Sequence, residues 1–385
     1  MIFFWQKKSL KPHLKVQKNN FKLQAKLALT VLISMVLVLM LSPSSLAADI
    51  GGKASLISNL SYSDSELDNS LAAELELEWF LPYDFPLDIQ NRAVISLDEE
   101  DEDKVDLWFK KLYLRQELGP FTAKLGRQPV SWAYGALINP VDYSLGAENL
   151  EEENRAKYVD GVELYYPINW GTGITFLSTD IEGEKNHKWS IRGRTTYAGY
   201  DLTANYISTP SSESEGDLDR YGLTAKGDLG PFGVYGAYGL WENRSIEYDI
   251  YQVGADYSYH FLRGSQLYLQ GEYILIDGAA ASEGFDLFSA IQDQNSAENG
   301  EQNSASNKME FINTNISYDI DEFSSIGFMT VTYLGDGSTL FIPKYSYLFS
   351  SNLLLELRGT AAAGAEEEVL GGDQKGLELN LSYTF

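Results

Sequence analysis

Residues 377–385 alternate without a break. Leu377, Leu379, Leu381, Tyr383 and Phe385 are apolar, while Glu378, Asn380, Ser382 and Thr384 between them are polar. Successive side chains of an extended chain point to opposite faces, so this segment carries one apolar and one polar face. The same period of two returns along the sequence. Ala73, Leu75, Leu77 and Trp79 alternate with Glu74, Glu76 and Glu78. Leu267, Leu269, Tyr273 and Leu275 alternate with Gln266, Gln270 and Glu272, and Ile312, Ile316, Tyr318 and Ile320 with Asn313, Asn315, Ser317 and Asp319. Segments of about 9–12 residues with this pattern, separated by turns, are the signature of an all-β transmembrane antiparallel β-barrel.

The connections carry independent information. The alternation predicts about eighteen strands, with about sixteen as the lower alternative. After each even strand comes a tight turn, such as Gly119-Pro120, Asn169-Trp170, Ala198-Gly199, Gly230-Pro231 or Ser351-Asn352. After the odd strands come longer polar loops, at residues 63–69, 99–103, 128–157, 209–218, 277–307 and 361–374. Short turns on one rim and long loops on the other are expected of an outer-membrane barrel. An even strand count puts both termini on the short-turn rim.

Residues 1–48 differ in kind. They contain no Asp or Glu, and seven lysines precede an apolar run from Leu27 to Leu41. That run suits the hydrophobic region of a signal peptide and is short for a helical span. Pro43 breaks it, and cleavage after Ala47 or Ala48 is expected. The domain reading is therefore a signal peptide at 1–48 and one barrel at 49–385. The whole chain has a formal net charge of -26, and loss of the leader makes it more acidic still. Such a charge argues against gripping nucleic-acid phosphates. With no Cys and three His, disulfides, thiolate zinc sites and histidine-rich metal sites are excluded, and neither cofactor nor metal is expected.

Leu125-Gly126-Arg127-Gln128-Pro129-Val130-Ser131-Trp132, followed by Asn139-Pro140-Val141-Asp142, resembles a segment of porin-like outer-membrane barrels of Gram-negative envelopes. In this chain Ala133 and Tyr134 separate Trp132 from Gly135, which breaks the Trp-Gly pair of that pattern. The resemblance implies that the long third loop folds into the lumen and narrows it. Phe385, with apolar residues at alternate positions before it, resembles the terminal strand read by outer-membrane assembly machinery. Outer-membrane lipid, that machinery and small hydrophilic solutes are the expected partners; association into homotrimers stays open.

Alternation predicts the lumen lining. The pore-lining candidates are Glu74, Glu76, Glu78, Arg92, Lys124, Arg127, Arg192, Arg194, Arg220, Glu272 and Arg358. Lys226, Lys344, Glu163, Asp228, Asp256, Glu356 and Glu378 share their parity. Constriction-loop candidates are Trp132, Asp142, Glu148, Glu151, Glu152 and Glu153. Lys110-Lys111 sits where the apolar parity of its strand shifts, which predicts a bulge and leaves open which lysine points inward. Either the lining discriminates ions, or it neutralises itself. Enzymatic readings fare poorly: His187 and His260 fall at opposite rims, and no nucleophile or metalloprotease motif is present. The expectation is a passive outer-membrane channel; the alternative is a non-conducting or ligand-specific barrel for polysaccharide export or surface adhesion.

Deleting Phe385 should slow barrel insertion while leaving export intact. The ratio of heat-modifiable to unfolded protein in envelope fractions measures this, and an unchanged ratio would remove Phe385 from that role.

Overall fold

The computed structural model describes residues 49–63, 66–81, 87–98, 105–130, 132, 140–141, 157–180, 187–210, 217–242, 244, 247–261, 264–278, 308–365, 369–370, 372 and 375–385. The first strands are β1 (Asp49–Ser63), β2 (Glu66–Phe80), β3 (Asp88–Asp98), β4 (Val105–Leu118), β5 (Phe121–Val130) and β6 (Lys157–Asn169). Then come β7 (Thr172–Asp180), β8 (His187–Tyr197), β9 (Tyr200–Thr209), β10 (Leu218–Leu229), β11 (Phe232–Glu242) and β12 (Glu247–His260). The last are β13 (Gln266–Gly278), β14 (Lys308–Asp319), β15 (Ser324–Tyr333), β16 (Thr339–Ser350), β17 (Leu353–Ala363) and β18 (Lys375–Thr384). Each pairs antiparallel with the next, and β18 pairs with β1 from Lys53↔Thr384 to Tyr62↔Lys375, closing an 18-stranded barrel.

Closure extends one rung past the regular ladder. Gly52 and Phe385 exchange both backbone hydrogen bonds, each 3.0 Å long. A Cβ at Gly52 would lie 2.2 Å from the Glu76 carbonyl oxygen and 2.8 Å from the Phe385 ring, so the seam needs glycine there. Among the described residues no helix is long and apolar enough to cross a membrane. The strands do the crossing, because a closed sheet leaves no edge groups unpaired in hydrocarbon.

The tight-turn rim follows from local chemistry. Leu118-Gly119-Pro120-Phe121 and Leu229-Gly230-Pro231-Phe232 are the same turn used twice, with glycine φ of 62° and 63°. Positive φ at the first central residue matches the strand twist, and proline then takes a position needing no ladder donor. Ala198 (φ 52°) and Gly199 (φ 84°) make a turn with both central residues left-handed. In the β14–β15 turn, one Asp321 carboxylate oxygen accepts from the Ser324 hydroxyl and the backbone N–H groups of Phe323 and Ser324. These bonds hold its carboxyl below the usual range, the Ser324 hydroxyl contributing most.

Outward side chains form an apolar band that includes Leu107, Leu125, Leu223, Val253 and Ile326, all exposed. Ring pairs flank it. Phe121–Tyr166, Phe232–Tyr257, Tyr347–Phe349 and Tyr383–Phe385 lie toward the tight-turn rim; Trp189–Tyr206, Tyr206–Tyr221 and Tyr238–Tyr251 lie toward the loop rim. Two aromatic girdles around an apolar belt fit a bilayer.

The expected bulge is present on β4. Arg92 pairs with Lys111 and Ala93 with Phe109, so Lys110 has no rung of its own. Gly126 on β5 has φ 117°, and a Cβ there would lie 2.3 Å from the Leu112 carbonyl oxygen. Gly126→Ala should therefore lower stability by about 1–3 kcal/mol. Urea unfolding in lipid vesicles measures it, and an unshifted midpoint would contradict the strain.

Candidate functional site

The inner face is ion-paired across neighbouring strands. Glu74, Glu76 and Glu78 project from β2 and meet Arg92 of β3 and Lys110 of β4. Lys110 Nζ lies 3.3 Å from Glu74 and also bridges Glu76, while Arg92 lies 3.4 Å from Glu76 and 3.0 Å from Glu78. The bulge resolves which lysine serves: it swings Lys110 into this cluster and places Lys111 opposite Arg92. Farther round, Lys124 pairs with Glu163 at 2.8 Å, Arg194 with Asp201 at 3.1 Å, and Lys344 with Glu356 at 2.8 Å. Arg358 stands in register with Lys344 on one side and Glu378 on the other. Partly exposed pairs of this kind are each worth at most about 1 kcal/mol. Their larger effect is to leave the wall nearly neutral.

One candidate faces away from its expected place, and two that point inward as expected are buried. Arg127 faces outward, not into the lumen. Its register partners are Leu112 and Asp160, while Lys124 and Gln128, on the opposite parity, point inward. Its guanidinium is held on the outer surface by the Asp160 carboxylate, with Nε 3.0 Å from Oδ1. Arg220 points inward but is buried, its guanidinium 4.8 Å over the Trp241 ring and 3.3 Å from the Thr209 hydroxyl. Glu272 also points inward and is buried, accepting from Tyr235 Oη at 2.6 Å, Asn313 Nδ2 at 3.0 Å and Gln252 Nε2 at 3.4 Å. A buried carboxylate with this many donors is a satisfied network and not a free ring charge.

The third loop enters the lumen at described points. Trp132, just past β5, is buried with Val130, Leu177 and Ile207 of the inner wall, and the Arg192 guanidinium lies 5.6 Å from its ring. Pro140 and Val141 sit against the inner faces of β10 and β11. There Gly222 and Gly239 face each other across the ladder. A Cβ at Gly222 would lie 2.1 Å from Val141 Cγ1, and one at Gly239 would lie 2.3 Å from the Pro140 carbonyl oxygen. Trp241 Nε1 donates to that same carbonyl at 3.2 Å. Two glycines thus make a notch in the wall, and one indole N–H pins the loop in it. The constriction candidates Asp142, Glu148, Glu151, Glu152 and Glu153 lie outside the described residues.

The inner face is also less polar than the alternation predicts. On the loop half of β11–β16, Trp241, Tyr248, Ile250, Ile274, Ile276, Met309, Phe311, Val331, Tyr333, Leu340 and Ile342 form one buried cluster. They share the inward parity of Gln252, Gln270, Glu272 and Asn313, so both faces of these strands turn apolar near the loop rim. Leu370, between β17 and β18, belongs to this cluster. Its backbone N–H donates to Ser338 Oγ at 3.0 Å, and that of Val369 to Asp336 Oδ2 at 2.8 Å. A second connection therefore folds inward, onto the β15–β16 turn.

Sequence reasoning had no signal for Gly222, Gly239 and Trp241, whose partner Pro140 lies far away in the chain. His187 opens β8 and His260 closes β12, at opposite rims. Among the described residues no group of three or more His, Asp or Glu is placed to hold a metal ion.

No protein-family profile and no curated protein matches this sequence. Solved structures do match its fold. Pseudomonas aeruginosa OccK11 (OpdR) superposes with a TM-score of 0.58 at 11% identity, over 88% of this chain and 96% of that one. Pseudomonas aeruginosa OpdO gives 0.57 at 12% identity, over 88% and 97%. Acinetobacter baumannii OccAB1 gives 0.55 at 11% identity, over 88% and 96%. At such identities the likeness is one of fold: these chains share the closed outer-membrane-type barrel.

Gly239→Leu should evict the third loop without opening the barrel. The expected outcome is unchanged heat-modifiable migration together with new protease cleavage between Ser131 and Lys157. A loop as resistant as in the parent protein would show that the notch does not hold it.

Proposed function

We propose that the protein is a passive channel of the bacterial outer membrane for small hydrophilic solutes. The observation that carries this reading is the closed barrel whose outer face is apolar and whose inner face holds partly exposed, mutually neutralising ion pairs. Residues 1–48 act as a signal peptide cleaved after Ala47 or Ala48. The long-loop rim faces outside and the tight-turn rim the periplasm. Outer-membrane lipid and the assembly machinery are its partners, the latter reading Phe385, and homotrimers are a further assembly to look for. No enzymatic step is assigned.

A paired wall discriminates weakly between ions, since each fixed charge is cancelled a few ångströms away. The third-loop acids Asp142, Glu148, Glu151, Glu152 and Glu153 then tip the balance toward cations. Charges on exposed loops are screened over about 8–10 Å at physiological salt, so only acids in the narrow part act on permeating ions.

A second reading has its own observation. The buried inner arc of β11–β16 and Leu370 fill part of the lumen, which favours a narrow ligand-specific or non-conducting barrel for polysaccharide export or surface adhesion.

Planar-bilayer recording of the refolded protein separates the two. Ohmic single-channel steps are expected, with a mild cation-selective reversal potential in a KCl gradient that weakens when the loop acids become Asn or Gln. Absence of steps from correctly folded protein would overturn the channel. Anion preference would place Arg192 and Arg194, and not the loop acids, at the constriction.

A further inference from the structure

In the loop half of the barrel the inner wall is buried on one side and partly exposed on the other. From β7 round to β16, most inward side chains on the loop half are buried, including Leu177, Ile207, Ile250, Ile274, Phe311 and Val331, each at 0% or 1% exposure, while Lys188, Arg192 and Leu218 are partly exposed. Part of that cover comes from the two inward connections: Trp132, Pro140 and Val141 over β7–β11, and Leu370 over β13–β16. Of the remaining strands, β5 carries the buried Gln128 and Val130 at its loop end, while β17, β18 and β1–β4 form a contiguous arc because β18 pairs with β1. There the inward residues of the same height, Asn59, Ala72, Ser96, Thr360 and Glu378, stay partly exposed. Below them Arg92, Glu74 and Glu356 keep 33%, 27% and 24% of their side-chain surface open. Ser55, Glu76, Val94 and Ser382 are buried exceptions on that arc.

Water does not favour a column against isoleucine and phenylalanine, whose removal from it contributes about 25 cal/mol per Å². Ion pairs at partial exposure, in contrast, need water on their open side. We infer that the permeation path is eccentric in the loop half of the barrel: there solute travels along the inner wall of β17, β18 and β1–β4, and the facing arc is a dry core of wall and infolded loops. Toward the tight-turn rim, partly exposed charges such as Arg194 and Asp201 line the other side as well. The inference deepens the channel reading and rests on it. It names the wall that meets solute, so substitutions at Asn59, Thr360, Arg92 or Glu356 change permeation. Equal changes on β12–β15 act only on folding.

The chain contains no cysteine, so single thiols report without background. Asn59→Cys and Thr360→Cys probe the wet arc; Ile274→Cys and Val331→Cys probe the dry one. Each refolded variant is treated with a negatively charged methanethiosulfonate, and the labelled fraction is read by mass alongside conductance. Thiol labelling follows access, so the wet pair should react roughly tenfold or more faster than the dry pair. Label on the wet pair should also reduce the conductance, while the dry pair reacts after denaturation. Dry-arc thiols that label as fast as wet-arc ones, or wet-arc thiols that stay unreactive in folded protein, overturn the eccentric path. Should Ile274→Cys fail to fold, the near-isosteric Val331→Cys decides. Labelling by mass needs no current, so loss of the channel reading shows as silence in every variant and stays distinct from loss of the path.

Discussion

Hydrocarbon offers backbone groups no hydrogen-bond partner, and the whole structure depends on how this chain answers that. Each unpaired N–H or C=O would cost several kcal/mol in the bilayer core, so the sheet must have no edge. The seam between β1 and β18 removes the last one, from Tyr62↔Lys375 down to the Gly52–Phe385 rung. Closure in turn dictates the rest: every strand has an inside and an outside, and every residue is committed to one by its parity. That is why Glu74, Glu76, Arg92 and Lys110 meet, and why Leu107 and Leu125 face lipid.

A barrel of this girth encloses more space than its own side chains fill. The chain fills part of it with its connections. The third loop is seated where two glycines leave a notch and an indole N–H meets a carbonyl. The segment around Leu370 is seated by Asp336 and Ser338, which also hydrogen-bond each other. Both seats flank the same apolar inner arc, so the loops bury a hydrophobic wall that a water-filled lumen would leave exposed. The charged residues on the other side are spared this and stay paired in water.

Local pattern made much of this legible. Alternation of Leu377 through Phe385, the repeated Leu-Gly-Pro-Phe turns and the alternation of short and long connections led to eighteen strands in the observed order. The bulge at Lys110-Lys111 was visible as a parity slip, because a bulge shifts the apolar face by one residue. Arg127 was misplaced for a related reason. As a pore-lining candidate next to the loop at 128–157 it is expected to face inward; the ladder carries β5 on to Val130, and its parity then sends it outward to Asp160.

What the sequence by itself determined is the set of properties that repeat every two residues or reside in a single turn: strand number, order, direction, the apolar belt and the rims. Only the tertiary structure decided which inward charges are offered to water, since that depends on what packs over them. Glu272 and Glu356 have the same parity and chemistry, yet one is buried beneath a hydrogen-bonded network and the other keeps an open ion pair. Glu272 is enclosed by donors from β11, β12 and β14, while Glu356 has Lys344 beside it. Which stretch of wall a loop covers is set in turn by contacts such as Pro140 with Trp241, made between segments far apart in the chain. Period-two alternation records the side of the sheet on which a residue lies and contains nothing about which distant loop will cover it.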